Sequence, residues 1–195
     1  MENAMSKINF TPMVSIDEAK SIIGAIGNEV TCILVSEPGV GKSSILSGLA
    51  EMNGDQWRKV GDDYPTDKYD YIYIDCPVKD MMDIAASIPN HQSKSLEYYV
   101  SSLFKLDNGK PKVIMADEAF KAPKLMQIIY TRMYLERTVG DTPLPAGSIV
   151  FGTSNNASDG VGDNLLSHVG NRVCILNMSK PSHEEWLRWA NKNGI

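Results

Sequence analysis

Residues Ser36-Glu37-Pro38-Gly39-Val40-Gly41-Lys42-Ser43 put two glycines, a lysine and a hydroxyl into one turn behind an apolar run. The pattern G-x-x-x-x-G-K-[ST] is met at every fixed position but the first, where Ser36 stands for glycine. Such a turn can bind phosphate. Its backbone N–H groups face inward, Gly39 and Gly41 permit the necessary backbone angles and a close approach, and the next helix adds its positive end. Lys42 would bridge β- and γ-phosphates and the Ser43 hydroxyl would bind Mg²⁺, with Glu37, Pro38, Val40 and Ser44 completing the cradle. Ser36 has only to start the turn, so its substitution is tolerable. The plainer alternative is a glycine-rich strand-to-helix turn with an exposed lysine.

A second group is Asp117-Glu118, which tips the apolar run Val113-Ile114-Met115-Ala116. In a parallel sheet the carboxyl ends of the strands face the ligand crevice, which would set this pair beside the phosphate loop. Asp117 would hold Mg²⁺ through water, and Glu118 would polarise an attacking water as general base. The same two acids would also serve as a solvated cap for the following helix.

The elements that must carry these groups alternate between short β-branched runs and helical patterns, the signature of a parallel sheet with helices on its faces. Ser15-x-x-Glu18 reads as a capping box for a helix with Ile16, Ala19, Ile22, Ile23 and Ile26 on one side. Val30–Val35 reads as a strand buried on both faces, and Ile45, Leu46, Leu49 and Ala50 mark the helix after the loop. Further strands are expected at Tyr69–Asp75, Val113–Ala116, Ser148–Gly152 and Val173–Leu176, making five, with residues 53–68 and Val139–Gly147 as loops. Leu96, Tyr99, Val100, Leu103 and Phe104 fall at helical spacing and predict a core-facing helix. Pro123 suits the start of a helix reaching about Arg137, and Ser182-x-x-Glu185 opens a capped helix with Trp186, Leu187 and Trp189.

Composition narrows the function classes. The chain has 195 residues, a net charge of −5, 43% hydrophobic and 22% charged residues, which fits one globular domain and argues against disorder, collagen and coiled coil. The acidic balance speaks against a general nucleic-acid coat or a basic membrane-surface binder. Cys32, Cys76 and Cys174 lie far apart in or beside apolar runs, so neither a disulfide framework nor a zinc site is expected. With no apolar stretch long enough to span a bilayer and no signal peptide at the start, the expectation is a reduced, cytoplasmic protein. His91, His168 and His183 have no metal-ligand spacing and read as surface or loop histidines.

Taken together, SEPGVGKS, the strand ending in ADE followed by AFKAPKLMQ, and the strand IVFGTSN resemble the core of an AAA+ ATPase over roughly residues 15–190. DEAFKAPKLMQ is most similar to the MoxR branch, although Phe120-Lys121 stands where that branch has Asn-Arg. The resemblance implies an α/β large subdomain, here a five-stranded parallel P-loop sheet with helices on both faces, and ATP and Mg²⁺ as its ligands. Residues 1–14 would be an N-terminal extension, 15–180 the ATPase domain, and 181–195 a C-terminal helix leading toward a helical lid, absent or truncated in this chain. It also implies a polar sensor at Asn155, with Asn156 as the alternative, and an arginine presented to a neighbouring subunit's γ-phosphate. Arg172 aligns with that arginine, and Arg132 and Arg137 are the other candidates. Guanidinium suits the task, being planar and permanently charged.

The leading expectation is therefore a ring, hexameric by resemblance, that couples ATP hydrolysis to remodelling of a macromolecule, with a von Willebrand A-type protein as the partner class implied. An ATP-gated loader with slow hydrolysis is the second reading. A small-molecule kinase is the third, disfavoured because no arginine-rich lid segment is visible and the acid pair suits activating water. A guanine-nucleotide switch lacks its N-K-x-D motif, since Asn191-Lys192-Asn193-Gly194 fails at the last position. Tyr98-Tyr99 could line a pore, and Cys76–Asp80 could touch a neighbour, but core packing and loop chemistry explain them as well.

Overall fold

The structure, a computed structural model, describes residues 13–55, 68–155, 171–192 and 194–195. Ser15 caps the first helix through the expected reciprocal pair: its Oγ accepts from Glu18 N at 3.3 Å and its N–H donates to Glu18 Oε2 at 2.8 Å. Helix α1 spans Ile16–Ile26 and buries Ala19 and Ile23. The chain then runs through strand β2, Cys32–Ser36, into helix α2, Ser44–Asn53. Three more long strands follow: β3 at Asp70–Asp75, β6 at Lys112–Asp117 and β9 at Ile149–Asn155. Strand β10, Cys174–Met178, completes the five expected from the sequence.

The sheet has six strands rather than five. The extra one, β1, is only Met13–Val14 and pairs parallel to β10, Met13 opposite Asn177. Two residues are too short to show any periodicity, so this edge pairing is invisible in the sequence; it falls within the stretch read there as an extension. The order is β1-β10-β2-β9-β6-β3 and every pairing is parallel. Continuous apolar strands are the consequence of covering both faces. Along β6, Val113 and Met115 face the α1–α2 side, while Ile114 and Ala116 face the other side, which α4 (Lys124–Glu136) covers with Met126, Tyr130 and Met133.

The helix expected over Leu96–Phe104 does not form. Residues Ala85–Asn90 (β4) and Ser95–Val100 (β5) instead make an antiparallel hairpin, preceded by the short helix α3, Met81–Ile84. Its turn is closed by the Asn90 side chain, whose Oδ1 accepts from Gln92 N at 2.9 Å and Ser93 N at 3.2 Å, the self-capping chemistry of asparagine turns. Leu96, Tyr98 and Tyr99 are 67%, 49% and 54% exposed, so the helical spacing did not report a buried face. Of that stripe, Phe104 is fully buried, and Val100 and Leu103 pack beside it. A second small hairpin, β7 (Thr138–Val139) with β8 (Thr142–Pro143), starts one residue before the segment expected to be loop, Val139–Gly147, and otherwise falls within it. The last helix, α5, spans His183–Lys192, and Ser182 caps it as expected: Glu185 N donates to Ser182 Oγ at 3.2 Å and Ser182 N to Glu185 Oε2 at 2.7 Å. Among the described residues no helix is long and apolar enough to cross a membrane.

Candidate functional site

Parallel pairing brings the carboxyl ends of four strands to one edge. Ser36 stands opposite Asn155, Asp75 opposite Asp117, and Ala116 opposite Gly152. Every polar residue that ends one of these apolar strands is thereby delivered to a single crevice, the place where parallel α/β sheets bind ligands.

The loop after β2 takes the backbone angles its glycines allow, φ being +80° at Gly39 and +95° at Gly41. A Cβ on Gly41 would come within 3.3 Å of Ile16 Cδ1, so that position is crowded as well. Ser43 caps α2 with helical angles and no side-chain bond to the helix end, while Ser44 Oγ donates back to Gly41 O at 2.7 Å. Lys42 turns across the crevice: its Nζ donates to Asn155 Oδ1 at 2.8 Å and to Ser36 Oγ at 3.1 Å. Ser36 is thus more than the start of a turn; its buried hydroxyl is a rest for the lysine. Burial lowers the Lys42 pKa, opposed by the negative charge of Asp117 and Glu118 and assisted by the positive charge of Lys121.

Asp117 is gripped on both oxygens. Tyr73 on β3 donates its phenol to Oδ2 at 2.8 Å, and Thr153 on β9 donates its hydroxyl to Oδ1. Burial and the bond to Asp117 push the Tyr73 pKa up, which keeps the phenol protonated and donating. Thr153 Oγ1 also accepts from Glu118 N at 3.1 Å. Glu118 itself adopts φ +51°, a left-handed conformation rare for a residue with a side chain and a kind of strain that clusters at functional sites. Its Oε1 accepts from Asn155 Nδ2 at 2.6 Å and pairs with Lys121 Nζ at 3.2 Å.

The structure therefore brings Lys42, Asp117, Glu118 and Asn155 into one hydrogen-bonded group beside the loop. It does not bring Arg172 there. That exposed arginine precedes β10, whose first residue Cys174 faces Cys32, at the opposite end of the strand from Ser36. At about 3.3 Å per strand residue the four positions from Cys32 to Ser36 span roughly 13 Å, and Arg172 lies beyond the far end of them, away from the loop after β2. Arg132 pairs with Glu136 at 3.0 Å and Asp141 at 3.4 Å, and Arg137 donates to Gly27 O at 2.9 Å. Asn156 and His168 lie outside the described residues, and His91 and His183 are exposed. Tyr73, Thr153 and Lys121 escaped sequence reading; the signal for the first two is their place near the ends of neighbouring parallel strands, which requires the strand order.

Beside the loop lies a cavity of about 370 Å³, within the range of small-molecule pockets. Its walls include Ile16, Val40, Gly41, Ser44, Trp186 and Trp189, so it joins the loop after β2 to the first turn of α1 and to α5.

No protein-family model matches this chain, and no curated protein matches it by sequence. Solved structures do match. One is the crystal structure of a candidate ATPase from Cytophaga hutchinsonii, with a TM-score of 0.58 at 20% identity. The likeness shows the fold. It covers 93% of this chain but only 52% of the other, so the present chain spans about half the length of that protein.

Proposed function

We propose that this chain is the ATP-hydrolysing core of an AAA+ protein of MoxR type, working as a ring, hexameric by resemblance, on a macromolecular partner. The observation that carries the reading is the union of Lys42, Asp117, Glu118 and Asn155 at the carboxyl edge of the sheet, next to a loop with φ +80° at Gly39 and +95° at Gly41. Residues 15–180 form the ATPase domain in this reading, and 181–195 lead toward a lid. A von Willebrand A-type protein as partner and a cytoplasmic location belong to the same proposal.

The donor set fits Mg²⁺. Ser43 offers a hydroxyl free of the helix cap, and Asp117 a carboxylate fixed by Tyr73 and Thr153; both are the hard oxygen ligands this ion takes. Bound there, Mg²⁺ would neutralise charge on the β- and γ-phosphates. Lys42 leaves its rest on Ser36 and Asn155 to meet phosphate oxygen. Glu118 orients water in line with the γ-phosphorus and takes its proton as the new P–O bond forms and the bond to the bridging oxygen breaks, releasing ADP. Asn155 keeps its amide N–H on the Glu118 carboxylate after the lysine has left its oxygen. The cavity lined by Val40, Trp186 and Trp189 takes the nucleoside. Arg172, far from its own loop, serves a neighbouring subunit's γ-phosphate.

The test is Mg²⁺-dependent ATP turnover per subunit as a function of protein concentration, for the parent and Arg172→Ala. Turnover that rises with concentration and is lost in the variant supports the shared site. Turnover independent of both refutes the in-trans arginine, and an absence of turnover with ATP bound favours the slow, ATP-gated module.

A further inference from the structure

Glu118 is held through its backbone and its carboxylate at once. Its N–H donates to Thr153, and its Oε1 accepts from Asn155 at 2.6 Å and Lys121 at 3.2 Å. Lys121 holds it twice: the Lys121 N–H also donates to the Glu118 carbonyl at 2.8 Å, closing the 3₁₀ turn Ala119–Lys121. These carboxylate bonds converge on one oxygen. Asn155 alone is a poor anchor, because the other end of its amide is held by Lys42, and Lys42 must shift when it meets phosphate. Lys121 belongs to a different element and does not depend on the loop.

We infer that Lys121 is a positioning residue for Glu118: it clamps Oε1 from the turn beyond β6 so that Oε2 stays aimed at the attacking water when Lys42 moves to the nucleotide. This rests on the hydrolysis reading above. The Lys121 side chain is 35% exposed, and pairs of this kind add little to stability, so the consequence of losing it falls on rate rather than on folding.

The experiment is steady-state ATP hydrolysis and ATP binding by the full chain, by Lys121→Met and by Lys121→Arg, with thermal melting alongside; Lys121→Gln replaces the methionine variant if that one does not fold. The expected result is a fall in kcat of about tenfold, short of the roughly hundredfold that misplacing a reacting group by about 1 Å can cost, with KM and ATP affinity within about twofold, an unchanged melting temperature, and recovery of most of kcat with arginine. Unchanged kcat in Lys121→Met overturns the inference while hydrolysis itself stands. A rise in KM with kcat preserved also overturns it, since Lys121 would then bind phosphate in the ground state. A parent chain that binds ATP without hydrolysing it refutes the hydrolysis reading and the role of Lys121 together.

Discussion

Lys42 and Glu118 are joined through a single amide: Asn155 accepts from the lysine at 2.8 Å with its oxygen and donates to the carboxylate at 2.6 Å with its nitrogen. The lysine after the glycines and the carboxylate at the end of β6 therefore share one partner, which in the proposed hydrolysis the lysine gives up when it meets phosphate. Replacing Asn155 by Leu removes both bonds at nearly constant volume. We expect kcat for ATP to fall by about a hundredfold, in the range for loss of a positioned proton-transfer group, with ATP binding weakened only a few-fold. Comparing single-turnover rates with equilibrium binding checks this; equal losses in both would mean that Asn155 serves the lysine alone.

Tyr73 and Thr153 hold Asp117 from the two flanking strands. In the proposed hydrolysis Asp117 holds Mg²⁺, and the partners of such a carboxylate typically matter by about 10–100-fold in metal affinity or activity. Tyr73→Phe keeps the ring and removes the donor, so the Mg²⁺ concentration for half-maximal hydrolysis should rise about tenfold while turnover at saturating Mg²⁺ recovers. An Mg²⁺ titration of the two proteins at fixed ATP decides it. An unshifted curve would show that Asp117 is held well enough by Thr153.

What was legible in the sequence was local. Lys42, Asp117, Glu118 and Asn155 each end or follow an apolar run, and a buried parallel strand announces itself by that run. Tyr73, Thr153 and Lys121 were not legible, because the first two matter only once β3, β6 and β9 are known to be neighbours and the third only once the chain turns after β6. The stripe from Leu96 to Phe104 misled for a related reason. Helical spacing implies a buried face only where a helix forms; of this stripe only Phe104 is fully buried, and the turn chemistry of Asn90 is the better local signal for a hairpin. The edge strand Met13–Val14 had no pattern to read; it exists because β10 offers it a backbone edge, with Ser179 N donating to Val14 O at 3.0 Å.

Beneath the site, Gly152 on β9 lies against the phenol end of Tyr134 from α4. A Cβ at Gly152 would press on the tyrosine hydroxyl and come within 2.9 Å of Ile33 Cδ1. Gly152→Ala should destabilise the chain by about 1–3 kcal/mol, the usual range for overpacking. The Tyr134 hydroxyl is buried with no hydrogen-bond partner among the described residues, so Tyr134→Phe should be neutral or slightly stabilising. The double variant should then recover part of the loss, because the hydroxyl is one of the clashing atoms. Urea unfolding of the four proteins gives the coupling directly, and strict additivity would mean that Ile33 and the ring carbon of residue 134 carry the clash rather than the hydroxyl.

At the opposite end of the sheet, Lys112 is fully buried and donates to Asp70 Oδ2 at 2.6 Å, Asn108 Oδ1 at 2.6 Å and Lys105 O at 2.8 Å. All three of its protons are used, so the charge is tolerated rather than stranded. Burial works to raise the Asp70 pKa, but the hydrogen bonds from Lys112 and Asn108 and the lysine's charge outweigh it and hold the carboxyl below its ordinary value. The sign follows from that depression. The unfolded chain binds the Asp70 proton more readily, so the pair's contribution is complete above the unfolded pKa, about 3.9 for an aspartate, and is lost as pH falls through the lower, folded value. Stability measured by denaturant should therefore drop on acidification below about pH 4, and Asp70→Asn should be less stable at neutral pH with a flatter acid limb. Lys112→Ala strands the carboxylate and should cost about 3–5 kcal/mol, as breaking a buried pair does. Lys112→Met together with Asp70→Asn should cost much less than the alanine variant, since neither charge is then left unpaired. If the acid limbs of the parent and Asp70→Asn superimpose, Asp70 is not the group that titrates there.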